Sequence, residues 1–240
     1  MQIKTIVVDK QKVFYKDLGI IEYKAAWDYQ EELLRENVAL KSAASKSGDI
    51  PQTTHHLLFC EHPAVYTLGK SGSESNILIS EEDMEKQDIQ YFKTNRGGDI
   101  TFHGLQQIVG YPIIDLEKFY TDIGRYLREL EEVIILSLAE YGIKGDRSQG
   151  ETGVWIEPGV IGKERKICAM GVRCSRWITM HGFALNVNTD LSFFDNIIPC
   201  GIQNKQVTSI ERELNQKVDF EEAKRILKMN FEKVFNVTIQ

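Results

Sequence analysis

The sequence predicts an α+β fold: a mixed, largely antiparallel sheet flanked by helices. Three observations carry that expectation. Amphipathic helical patterns recur near the start, in the middle and at the end of the chain. Strand-like runs separated by turn signals follow one another from residue 153 to residue 187 and suggest an antiparallel meander. Strands and helices do not alternate strictly, as βαβ units would require.

Taken in order, KTIVVDKQKV reads as a strand, and IEYKAAWDYQEELLRENVALKSA as a helix in which Ala25, Ala26, Tyr29, Leu33 and Leu40 recur near helical spacing. SKSGDIPQTT is a polar connection. LLFCE and AVYTLG form two strands broken at Pro63, and SEED predicts a helix start with Ser80 as N-cap. IQYFKTN and IVGYPIIDL read as strands on either side of a glycine turn, RGGDITFHGLQQ. In YTDIGRYLRELEEVIILSLAEYGI, residues Ile123, Tyr126, Leu127, Leu130, Val133, Ile134 and Leu138 share one broad face, with Gly142 as C-cap. Within the meander, Ile167, Ala169, Gly171 and Arg173 alternate with Cys168, Met170, Val172 and Cys174 across the two faces of a strand. DFEEAKRILKMNFEKVF closes the chain as a helix.

Composition bounds what such a fold can do. With 240 residues, 42% hydrophobic and 27% charged, the chain can bury a sizeable core, and residues 1–240 are expected to form a single domain. No apolar run reaches the roughly 18 residues that a membrane span requires, and the opening MQIKTIVVDKQKV lacks the apolar core of a secretory signal. A cytoplasmic location without membrane contact is the expectation. A net charge of −6 argues against a general nucleic-acid surface. The segment from Lys163 to Arg176 nevertheless concentrates Lys163, Arg165, Lys166, Arg173 and Arg176 against Glu164, a face suited to an acidic partner.

Four groups of residues invite chemical readings. His55, His56, Cys60 and His62 fall within eight residues, but in a strand His55 and His56 point to opposite faces and the spacing fits no common zinc site, so no metal is expected. RGGDITFH, residues 96 to 103, crowds Arg96, Thr101 and His103 around paired glycines whose amides could face a carbonyl or anion; the alternative is a tight hairpin turn. His181, followed by Gly182 at a strand end, is the kind of strand histidine that usually plays a structural part. Of the four thiols, Cys60, Cys168 and Cys174 lie inside strand-like runs. Cys200 sits in a Pro-Cys-Gly turn, where a thiolate could attack a carbonyl carbon if a cation such as Lys166, Arg173 or Arg176 lowered its pKa from about 8.5.

Together, RGGDITFHG, KICAMGVR, HGFALNV and IIPCGI resemble, in order, the conserved blocks of the lipoyl(octanoyl) transferase family, a likeness running from HPAVYTLGK to TSIERE. The resemblance implies the fold of the biotin and lipoate protein ligases. It also implies transfer of an octanoyl group from octanoyl-acyl carrier protein to a lysine of lipoyl domains, with no cofactor. Those acceptors would be the lipoyl domains of 2-oxoacid dehydrogenase complexes and the glycine cleavage H protein.

By the same resemblance Cys200 is the acyl-thioester cysteine and Lys166 the lysine that lowers its pKa. The acyl site falls on Arg96, Gly97, Gly98, Asp99, Ile100, Thr101, Phe102 and His103, on Ala169, Met170 and Gly171, and on Gly182, Phe183 and Ala184. The small residues Ala169, Gly171, Gly182 and Ala184 are expected to leave room for the acyl chain. One departure is visible: where the family reads His-Gly-Pro-Gly-Gln, this chain reads His103, Gly104, Leu105, Gln106, Gln107. Two rival readings are an ATP-dependent lipoate or octanoate ligase of the same fold, which would not need Cys200, and a non-catalytic module that binds acyl groups or lipoyl domains.

Overall fold

A computed structural model describes residues 10–198 and 206–240. Its strands are β1 (Lys12–Ile20), β2 (His55–Glu61), β3 (Val65–Leu68), β4 (Gln90–Lys93), β5 (Ile100–His103), β6 (Gln107–Ile113), β7 (Gly145–Asp146), β8 (Val154–Ile156), β9 (Arg165–Ser175), β10 (Ile178–Asn186), β11 (Gln206–Val207) and β12 (Thr238–Ile239). Its helices are α1 (Tyr23–Ser47), α2 (Glu81–Lys86), α3 (Ile123–Ala139), α4 (Ile210–Leu214) and α5 (Phe220–Phe235).

The large sheet runs β12-β1-β2-β6-β10-β9-β8-β7. Every pairing from β2 through β7 is antiparallel, whereas β1 runs parallel to both β2 and β12. The antiparallel pairing of β10 with β9 ends at Leu185↔Cys168. β11 pairs in parallel with the start of β9, setting Val207 opposite Lys166. A smaller sheet, β4-β3-β5, packs Tyr66, Leu68, Ile100 and Phe102 with Phe194 and Ile197.

The central strands are buried on both faces because both are covered. On one face Leu57, Phe59, Ile108, Phe183 and Leu185 meet α3 and α5, which present Tyr126, Leu130, Val133 and Ile134 together with Leu227, Phe231 and Phe235. On the other, Leu58, Cys60, Val109, Tyr111, Met180 and Ala184 meet Ala26, Leu33 and Leu34 of α1. Helix ends are fixed by side chains accepting from exposed backbone amides: Ser80 from Asp83 N at 3.1 Å, Asp122 from Arg125 N at 2.9 Å, and Asp219 from Glu222 N at 3.0 Å. α1 ends at Gly48, whose left-handed φ of +81° lets its N–H reach Ala44 O.

Two expectations change, and another lies partly outside the described residues: of the strand read over residues 4–13, residues 4–9 are not described, and β1 runs Lys12–Ile20. A third of the anticipated glycine turn, four of its twelve residues, is strand β5. The alternation along β9 holds from Cys168 onward but not before it: β8 shifts register between Val154↔Cys168 and Trp155↔Lys166, and the extra residue, Ile167, packs in the same cluster as Cys168.

Candidate active site

A cavity of about 330 Å³ opens between the two sheets. The 96–99 loop and β5 form one wall, β9 and β10 the facing one, and Tyr23, Val109 and Tyr111 approach from α1 and β6. Of the residues expected to line an acyl site, Arg96, Gly98, Asp99, Ile100, Thr101, His103, Ala169, Met170, Gly171, Gly182, Phe183 and Ala184 do so, and Lys166 joins them.

Phe102 and Gly97 are not among its walls. Phe102 points into the smaller sheet's core and stacks on Phe193 at 4.6 Å, because neighbouring strand residues face opposite ways. Gly97 is used through its backbone: its N–H donates to Val172 O at 2.9 Å. Cys200 lies outside the described residues.

The glycine-rich loop is locked to the sheet by close backbone approach. A Cβ on Gly171 would lie 2.5 Å from Gly97 O, and one on Gly69 would lie 2.2 Å from Gly98 O. A Cβ on Gly182 would lie 2.1 Å from Gly110 O. Gly171 and Gly182 line the cavity and also admit neighbouring backbone, so their small size is needed for packing as well as for the space expected around an acyl chain. Arg96 is buried and braces the loop from beneath: Nη2 donates to Thr67 O at 2.6 Å and to Thr67 Oγ1 at 2.9 Å, and Nη1 donates to Gly97 O at 3.0 Å.

From Arg96 a directed hydrogen-bond chain crosses the site. Thr67 Oγ1 lies 3.3 Å from His103 Nε2, and His103 Nδ1 lies 2.8 Å from Gln107 Oε1. Gln107 Nε2 donates to Phe102 O and to Asn186 Oδ1, and Asn186 Nδ2 donates to Thr208 O at 2.9 Å. Gln107 spends its amide N–H groups on acceptors, so its oxygen faces His103, whose Nδ1 carries the proton and whose Nε2 accepts from Thr67. Burial, the nearby His62 and Arg96 keep His103 neutral, holding its pKa well below the ordinary value. At the far end Thr208 N donates to Lys166 O at 2.9 Å, and Lys166 Nζ sits 4.6 Å from the centre of the Trp155 ring.

Sequence reasoning passed over Tyr23, Gln107, Tyr111 and Asn186 as site residues and read His181 as a structural strand histidine. Gln107 and Asn186 stand beside or within the quoted blocks, as the last residue of HGLQQ and the asparagine of HGFALNV, and amides inside apolar strands were the available signal. Nothing local to the start of α1 marks Tyr23. The Leu105-Gln106 replacement is accommodated: Gln106 takes the left-handed φ of +60°. Its carbonyl receives Val187 N, Asn188 N and Thr189 Oγ1, while Leu105 is exposed.

The histidine-rich stretch is engaged with protein groups: His62 contacts Ile21 O, Tyr111 and Cys60, and His55 accepts from Asp115 N. Among the described residues no cluster of three or more His, Cys, Asp or Glu is placed to hold a metal ion. Among them, too, no helix is long and apolar enough to cross a membrane. The anticipated basic face is smaller than its sequence suggests. Arg165 is spent on Glu213 and Glu157, and Arg173 on Glu31; Lys163 and Arg176 remain exposed.

Residues 22–232 match the family model for the lipoyl protein ligase A/B catalytic domain. An octanoyltransferase of Christiangramia forsetii is 54% identical over 231 residues, covering 96% of this chain and 98% of its own. One of Flavobacterium johnsoniae is 58% identical over 216 residues, covering 89% and 92%. Among solved structures, lipoate-protein ligase A bound with ATP superposes with a TM-score of 0.68 at 14% identity, covering 96% of this chain and 87% of that one. The bi-partite lipoate protein ligase of Thermoplasma acidophilum gives 0.67 at 16%, covering 97% and 86%. The two structures share the fold, while the two close relatives share most of the sequence along nearly their whole length: the chain belongs to the lipoyl protein ligase A/B catalytic domain family and, within it, to the octanoyltransferases.

Proposed function

We propose that this octanoyltransferase takes its acyl group from octanoyl-acyl carrier protein and delivers it to a lysine of a lipoyl domain by way of a thioester on Cys200, with Lys166 beside it. Acceptors of this class include the lipoyl domains of 2-oxoacid dehydrogenase complexes and the glycine cleavage H protein. The observation that carries the reading is the position of Lys166. It lines the acyl-sized cavity, and its register partner Val207 belongs to a strand that begins six residues after Cys200.

The remaining thiols favour the same nucleophile. Burial pushes the Cys60, Cys168 and Cys174 thiols above their ordinary pKa, which disfavours the thiolate that an attack requires. The chemistry then has two balanced steps. The Cys200 thiolate attacks the carbonyl carbon, the carrier's C–S bond breaks, and the pantetheine thiol leaves. The acceptor amine next attacks the enzyme thioester; a C–N bond forms, the Cys200 sulfur departs, and the amine's proton is removed. Lys166, as a cation, favours the Cys200 thiolate in the first step and gives its proton to the departing pantetheine thiolate; its neutral amine then takes the proton of the attacking acceptor amine in the second. Both steps begin from a thioester, so no ATP is consumed.

Intact-protein mass after brief incubation with octanoyl-acyl carrier protein, without ATP, tests this. The wild type should gain one hydroxylamine-labile octanoyl group and Cys200→Ala none. Acceptor modification that requires ATP and free octanoate, with no adduct on the wild type, would replace the reading with that of a ligase.

A further inference from the structure

Lys166 reaches the cavity through the irregular start of β9. Val154 and Cys168 are register partners, and both pack in the core cluster against α3 and α5. In an unbroken ladder Lys166, two positions before Cys168, would share that apolar face. Ile167 is the extra residue and packs in the same cluster as Cys168, so Lys166 turns to the other face of the sheet. There it stands directly opposite Trp155, on the side where the cavity opens.

A lysine delivered to this place still has a long, flexible stem. Its backbone is fixed, by pairing with Val207 and by the bond from Thr208 N to Lys166 O at 2.9 Å, but backbone pairing does not place the ammonium. Trp155 does. Lys166 Nζ lies 4.6 Å from the centre of the ring, inside the roughly 6 Å at which an aromatic face attracts a cation. The ring is itself held: Trp155 is 2% exposed, and its neighbours Val154 and Ile156 are buried in the cluster on the opposite face, which anchors β8 on both sides of it. Trp155 does not line the cavity, so its influence on the site runs through the lysine.

We propose that Trp155 is a positioning residue for acyl transfer: its ring face holds the Lys166 ammonium at the cavity wall, so that the ring governs the rate of acylation without contact with the acyl group. The bonds made and broken are those of the two steps already given. The inference rests on the reading of Cys200 and Lys166 as the acylating pair and adds a residue that acts through the lysine.

Single-turnover acylation by octanoyl-acyl carrier protein, followed by intact mass, tests it in a double-mutant cycle. Trp155→Leu should slow acylation about tenfold at saturating donor and leave the half-saturating donor concentration within about twofold of the wild type. Trp155→Phe keeps an aromatic face and should stay within about threefold of the wild-type rate. With Lys166→Met already in place, adding Trp155→Leu should cost less than about twofold, because a residue that acts through the lysine has nothing left to hold. A wild-type rate in Trp155→Leu, equal losses in both backgrounds, or a Trp155→Phe rate no better than that of Trp155→Leu overturns the proposal. Should Trp155→Leu fail to fold, 5,6,7-trifluorotryptophan placed at position 155 alone weakens the negative face of the ring with little change of shape. Acylation should then slow by about threefold or more, and an unchanged rate overturns the proposal. The wild type and Lys166→Met separate this inference from the reading beneath it: no thioester on the wild type, or wild-type acylation by Lys166→Met, defeats the proposed function and the inference with it.

Discussion

Gln107 and Asn186 stand opposite each other across β6 and β10 and share a hydrogen bond of 2.8 Å. This bond joins the loop-bracing half of the site, Arg96, Thr67 and His103, to the strand that lies beside Lys166. It is buried, and each amide uses both of its ends. Asn186→Leu should therefore cost about 2–4 kcal/mol, since it orphans the Gln107 amide and the Thr208 carbonyl together. Urea unfolding measures this, and a loss below about 1 kcal/mol would show that the bond is not structural.

Gly171 and Gly97 make a controlled pair. A Cβ on Gly171 would collide with Gly97 O at 2.5 Å, whereas one on Gly97 would meet only Val172 O at 3.4 Å. Gly171→Ala should destabilise by about 1–3 kcal/mol and raise the KM for the acyl donor by shifting the 96–99 loop. Gly97→Ala should do much less of both. Equal effects would mean that the close approach does not hold the loop.

Stability should fall as the solution is acidified from pH 7.5 to 5.5. Burial pushes His55 and His62 down to about 4 and His181 to about 3, and His103 is held well below the ordinary value. Unfolding releases imidazoles that protonate near pH 6.5, so the unfolded state binds more protons throughout this window. The sign is therefore loss of stability with falling pH, beginning near 6.5 and continuing toward 4. Each such histidine contributes on the order of 1 kcal/mol by pH 5.5. A urea midpoint that is flat or rising over this range would contradict the buried, neutral assignment.

Arg165 and Lys163 should separate structure from docking. Arg165 donates to both carboxylate oxygens of Glu213, each at 2.6 Å, and to Glu157 at 2.5 Å. Arg165→Ala should lower stability by about 1 kcal/mol, a value discounted for the partly exposed setting of the pairs. Lys163→Glu should leave stability within about 0.5 kcal/mol while raising the KM for an acidic carrier at low salt. A KM effect confined to Arg165 would restore the larger basic face.

Much of the secondary structure was legible because three of the helices, α2, α3 and α5, carry their caps in the local sequence, whereas α1 starts after Glu22 without a side-chain cap and α4 was not foreseen. Asp122 with the Tyr126, Leu130, Val133 series, and Asp219 with the closing helix, are written locally, as is Ser80. The chemistry-bearing blocks were also local, and so was the family. Composition and spacing did not reveal that β9 carries an extra residue at Ile167, that Phe102 turns away from the cavity, or that Gly171 and Gly182 are small for the sake of facing backbone as well as the cavity. Each of these depends on which strand lies next door, and register between distant segments leaves no periodic trace in either one. The same holds for His181. Its dipeptide with Gly182 was readable, but its tautomer depends on Asn95 and Glu31, residues 86 and more positions away that only the folded sheet and α1 bring to its ring.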